Sequence, residues 1–125
     1  MNELRIDVDG GTAHEPGGEV AGTLSWTLDG DPDAVHVRLF WYTEGKGDRD
    51  LSVVEEVVAE APAVSGRLPF RFRLPAGPYG FSGTLISLTW ALEAVADPSG
   101  AAARVELAVG PGGREARIDG GAGEV

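Results

Sequence analysis

The 125-residue sequence contains no cysteine. That removes disulfides, thiolate nucleophiles and cysteine-ligated zinc or iron–sulfur sites together. Cations are also scarce: ten Lys and Arg stand against twenty Asp and Glu, for a formal charge of −10. Such a chain lacks the clustered positive charge that neutralises nucleic-acid phosphates or docks on anionic membranes, so neither partner is expected. No apolar run approaches the roughly 20 residues of a membrane helix, so no membrane insertion is expected. The opening MNELRIDVDGG places acidic residues where a signal peptide carries its apolar core, which points to a cytoplasmic protein. The only histidines, His14 and His36, have no convergent partners by spacing and read as surface residues. No serine lies in a G-x-S-x-G elbow. The expectation is therefore no catalytic residue, no metal site and no cofactor.

What the sequence does contain is alternation. Its hydrophobic fraction is 42%, with three Trp and four Phe, enough to close one core in a single domain. Leu4, Ile6 and Val8 alternate with polar residues, as do Leu24, Trp26 and Leu28. Val35, Val37, Leu39 and Trp41 face one way, with His36, Arg38, Phe40 and Tyr42 facing the other. Leu68, Phe70, Phe72 and Leu74 repeat the pattern, as do Ile86, Leu88, Trp90, Leu92 and Ala94, and finally Ala103, Val105, Leu107 and Val109. Period-two patterning between Gly- and Pro-rich turns predicts strands. Residues 51–61, LSVVEEVVAEA, also fit helical spacing. Their β-branched valines favour a strand.

Seven strands result, and two packed antiparallel sheets would bury Trp26, Leu39, Trp41, Phe70, Phe72, Leu88 and Trp90. The sandwich is expected over residues 1–110, followed by a flexible Gly-rich tail over 111–125. A hairpin through residues 61–66 would pair Glu60 with Arg67 and Glu56 with Arg71. It leaves Glu55 on the core face unless a β-bulge at Glu55–Glu56 turns it outward.

The segment Pro16-Gly17-Gly18-Glu19-Val20-Ala21-Gly22, the strand VHVRLFWYTEGKG, the VVEE strand, the F-x-F-x-L-P of residues 70–75 and FSGTLISLTWALEA follow one another in order. Together they resemble the N-terminal sandwich domain of arrestin-like proteins, a group that includes bacterial sporulation-control proteins and retromer's arrestin-shaped subunit. The resemblance spans residues 16–96 and implies an immunoglobulin-like sandwich that binds or scaffolds, and is not an enzyme. Members commonly carry a second sandwich domain, for which this chain is too short. Their Pro-Ser pair after F-x-F-x-L-P is here Gly80-Phe81-Ser82-Gly83, and no phosphate-sensing residue carries over.

Candidate partner-binding residues follow from the strand faces. Arg38, Phe40 and Tyr42 lie opposite the core side of their strand, and aromatics with Arg dominate interface hot spots. Such a face docks a protein partner, self-associates, or is covered by the tail. Arg71 and Arg73 point the same way and are placed to grip a carboxylate or phosphate, unless the glutamates of the neighbouring strand occupy them. An unpaired strand edge is a further route to a partner. The alternative is a small-ligand sandwich for calcium or carbohydrate in the acidic loops. DGDPD at 29–33 begins like a calcium loop, but Ala34 and Phe40 stand where an EF-hand needs Gly and Glu, so it reads as a turn.

Overall fold

The computed structural model describes residues 2–45, 49–83, 86–114 and 116–118. Among the described residues ten strands run in order: β1 (Glu3–Val8), β2 (Ala13–His14), β3 (Glu19–Thr27), β4 (Ala34–Gly45), β5 (Arg49–Glu60), β6 (Ser65–Arg73), β7 (Phe81–Gly83), β8 (Ile86–Asp97), β9 (Ala102–Val109) and β10 (Ala116–Ile118). Seven of these are the expected strands. The additional β2, β7 and β10 are two or three residues long, too short to show a period. No helix among the described residues is long and apolar enough to cross a membrane.

One sheet is the antiparallel trio β1-β3-β6; the other runs β10-β7-β8-β4-β5, with β9 also paired to β8. Their facing sides bury Val20, Leu24, Trp26, Leu39, Phe70, Phe72, Leu74, Leu88, Trp90 and Leu92 in one core. All of the expected core residues are there, with Trp41 partly buried against it. Two indoles are also hydrogen-bonded: Trp26 Nε1 donates to the Ala63 carbonyl and Trp90 Nε1 to that of Pro78, each at 2.9 Å. A buried indole N–H needs such a partner.

Two expectations are corrected. The first is the β5–β6 hairpin. β5 pairs with β4, and β6 with β3, so residues 61–64 carry the chain from one sheet to the other. Trp26 and Leu28 of the small sheet bond the carbonyls of Ala63 and Val64, which fixes that crossing. The register irregularity falls one residue before the expected bulge: Leu39 pairs with Glu55 and Phe40 with Val53, leaving Val54 unpaired. Glu55 thus stays on the core side yet is exposed, because the three-stranded sheet opposite does not extend over the end of the larger one.

The second correction concerns the tail. Ala116–Ile118 pairs parallel with Phe81–Gly83, so the folded region extends past residue 110. Residues 119–125 of that tail lie outside the described residues.

Candidate functional site

The outer side of the large sheet carries Arg38, Phe40 and Tyr42 on β4, as the alternation requires. They are not an open patch. Phe40 is only 1% exposed, and its ring stacks on Tyr42 with centroids 5.9 Å apart. Arg104 on β9 lays its guanidinium 5.2 Å from the Phe40 centroid and 5.4 Å from that of Tyr42. Its Nη2 also donates to Glu93 Oε2 at 3.4 Å, and the Tyr42 hydroxyl donates to Glu106 Oε2 at 3.2 Å. The face expected to be open aromatic surface is closed by a cation from a strand some sixty residues downstream. Cation–π contacts with partial burial contribute about 0.5–1 kcal/mol each. Arg104→Ala is accordingly expected to lower stability by about 1 to 2 kcal/mol and to raise binding of a hydrophobic dye. A melt and a dye titration check this; unchanged dye binding would mean that Arg104 is not the cover.

Arg38 sits in a charged cluster that fastens β5. His36 Nδ1 lies 2.9 Å from Glu56 Oε2 and 3.0 Å from Arg38 Nη2. His36 Nε2 lies 3.3 Å from Asp97 Oδ2, and Arg38 Nε 3.5 Å from Glu56 Oε2. His36, expected on the surface, is instead mostly covered, with 12% of its side chain exposed. These contacts tie the middle of β5 to β4 and the end of β8. Arg71 pairs with Glu19 across the β3–β6 ladder, not with Glu56. Arg73 donates to the Gly17 carbonyl at 3.3 Å. Arg71 and Arg73 are thus both engaged within their own sheet.

The acidic loop forms a cleft of about 200 Å³ with Asp29, Asp31 and Asp97 on its walls. No group of three or more His, Asp and Glu placed to hold a metal ion occurs among the described residues.

The strand edges differ sharply. β5 is twelve residues long and ends the large sheet, so alternate N–H and C=O groups along its outer margin have no ladder partner among the described residues. It also carries exposed aliphatic side chains: Leu51 at 59%, Val53 and Val58 at 45%, and Val54 at 38%. Leu51 and Val53 share the face of Tyr42 and Phe40, while Val58 stands opposite His36. By contrast β6, an edge of the small sheet, contains Pro69 and three arginines, features that blunt an edge. The other edge of that sheet, β1, is six residues with Glu3, Arg5 and Asp7 outward. Sequence reasoning noticed the valines of β5 but not their position, since nothing within a strand says whether it is last in its sheet.

No protein-family model matches the chain, and no curated protein matches it in sequence. Among solved structures it is similar to Spo0M, the sporulation control protein of Bacillus subtilis, with a TM-score of 0.64 and 17% identity. The match covers 88% of this chain and 49% of Spo0M, so the chain spans about half of that protein's length. The fold is the all-β, arrestin-like sandwich. Superoxide reductase (neelaredoxin) of Ignicoccus hospitalis also matches, with a TM-score of 0.47, 14% identity, and coverage of 86% of this chain and 81% of that one. The expectation that the chain is not an enzyme is withdrawn, because an enzyme stands among these matches. At that similarity none of its chemistry transfers to this chain.

Proposed function

We propose that the protein is an interaction module that takes its partner along the β5 edge by strand addition. The observation that carries this is the combination on β5 of an unpaired backbone margin, twelve-residue length and exposed Leu51, Val53 and Val58. An added strand gains main-chain hydrogen bonds for affinity and side-chain neighbours for selectivity. The Arg38–Glu56–His36 cluster ties β5 to β4, and Phe40 and Tyr42 stand beside Val53 and Leu51 in the register. Arg38, Phe40 and Tyr42 therefore serve the docking strand as its support. Arg71 and Arg73 belong to the other sheet and are not assigned to this surface.

Lysine on an exposed edge discourages strand pairing by forcing a charge to be desolvated or opposed. A Val53→Lys/Val58→Lys variant is expected to keep its melting temperature within a few degrees, since exposed substitutions of this kind usually cost under about 0.5 kcal/mol each. Size-exclusion chromatography with light scattering then compares the assemblies that wild type and variant form, alone and with cell extract. The variant is expected to lose the wild-type complex; a folded variant that retains it would place the interaction elsewhere.

A further inference from the structure

We infer that the occupant of the β5 edge is an extended segment of another protein in which aliphatic side chains alternate with lysine or arginine. The inference rests on the β5 reading above and adds the chemistry of the partner. Along β5, Asp50, Glu55 and Glu60 are exposed, and none has a side-chain hydrogen bond or ion pair among the described residues. Glu56 is the one already engaged, by Arg38 and His36. The register places Glu55 beside Leu39 on the core side of the strand and Glu60 beside Ala34 on the outer side. A strand laid on this margin thus meets carboxylates at both ends and in the middle, separated by Leu51, Val53 and Val58.

Directly opposed unlike charges on neighbouring strands are favourable, and like charges unfavourable. A partner with Lys or Arg opposite Asp50 and Glu55 on one face and aliphatics opposite Leu51, Val53 and Val58 on the other meets each requirement, while Glu60 closes the aliphatic face at the end of the strand. The whole molecule, with its net charge of −10, steers such a segment inward and raises its association rate at low salt.

A second copy of the chain fits less well. Antiparallel pairing of β5 with itself over its full length centres between Val54 and Glu55. Two copies of Glu55 and Glu56 would then crowd the middle of the ladder, each copy bringing ten excess negative charges. The unpaired Val54 disturbs that same centre. A bulge and a core-side charge are devices by which edge strands resist self-pairing. Both leave room for a cationic partner: the bulge is local, and a lysine ammonium neutralises Glu55.

The test uses blocked synthetic decapeptides titrated into the full-length chain by calorimetry: one alternating valine with lysine, one valine with glutamate, and one valine–lysine peptide N-methylated at alternate residues. The lysine peptide is expected to bind 1:1 and the other two at least tenfold more weakly. Asp50→Lys/Glu55→Lys, both on the face that the lysines would take, should cost the lysine peptide roughly tenfold and restore the glutamate peptide. Glu3→Lys, an exposed charge reversal on the small sheet, should change binding less than twofold. Equal effects of the two reversals, or equal binding of all three peptides, would overturn the inference, because attraction would then come from bulk charge or bulk apolarity. Failure of the lysine peptide, with Val53→Lys/Val58→Lys still abolishing a complex, would overturn this partner chemistry and leave the edge reading standing. If that complex were a homo-oligomer, the occupant would be a second copy. Failure of the peptide with the complex intact in Val53→Lys/Val58→Lys would remove both.

Discussion

Trp90→Ala is expected to lower the unfolding free energy by about 4 kcal/mol, the largest effect of any single side chain considered. Trp90 is fully buried in the central strand of the large sheet, paired across β4 with Trp41 and across β9 with Leu107. Removing the indole leaves a void bounded on both sides by ladders that cannot collapse without breaking. It also deprives the Pro78 carbonyl of its donor. Trp90→Phe keeps most of the volume and loses the N–H, so it should cost about 1 to 2 kcal/mol. Urea denaturation measures both. The alanine variant should shift the midpoint by more than 1 M, given slopes of roughly 1–3 kcal/mol/M for small domains. Equal losses in the two variants would show that the hydrogen bond, not the packing, dominates.

The second large effect is expected at Gly22. It faces the core on β3, between Val8 of β1 and Phe70 of β6. A Cβ built there would lie 2.2 Å from the Asp7 carbonyl oxygen and 2.8 Å from Phe70 Cζ. The first of these is backbone and cannot swing aside. β1 must therefore move away from β3, and Gly22→Ala should cost about 3 kcal/mol, at the upper end for overpacked cores. Gly30→Ala is the matched control: nothing lies within 4 Å of its Cβ position, and its effect should stay within about 0.5 kcal/mol. Thermal melts separate the two. A Gly22→Ala chain as stable as Gly30→Ala would mean that β1 does not approach β3 as closely as described.

The core was readable because burial on one face writes a period of two into the sequence. Trp26, Phe70, Phe72, Leu88 and Trp90 could be placed without knowing which strands are neighbours. What depends on neighbours was not readable. Arg71 had acidic residues available on more than one strand, and topology gave it Glu19. Phe40 does point away from the core, as its parity requires, but Arg104 covers it from β9. Glu55 looked misplaced on the core side; its position at the sheet's end makes it harmless there. β2, β7 and β10 contain too few residues for any pattern. The candidate surface is itself topological: the valines of β5 are ordinary strand residues until β5 is known to be last in its sheet.

The central claim is that partners dock along β5, and position-specific photo-crosslinking tests it most directly. A photoreactive residue would be introduced in turn at Val58 on the β5 edge and at Arg67 on the opposite sheet. Each chain would be irradiated in an extract of the organism that makes the protein. Strand addition at β5 predicts a discrete cross-linked species from position 58 that is absent from position 67. Cross-linking from position 67 alone, or equally from both, would contradict it.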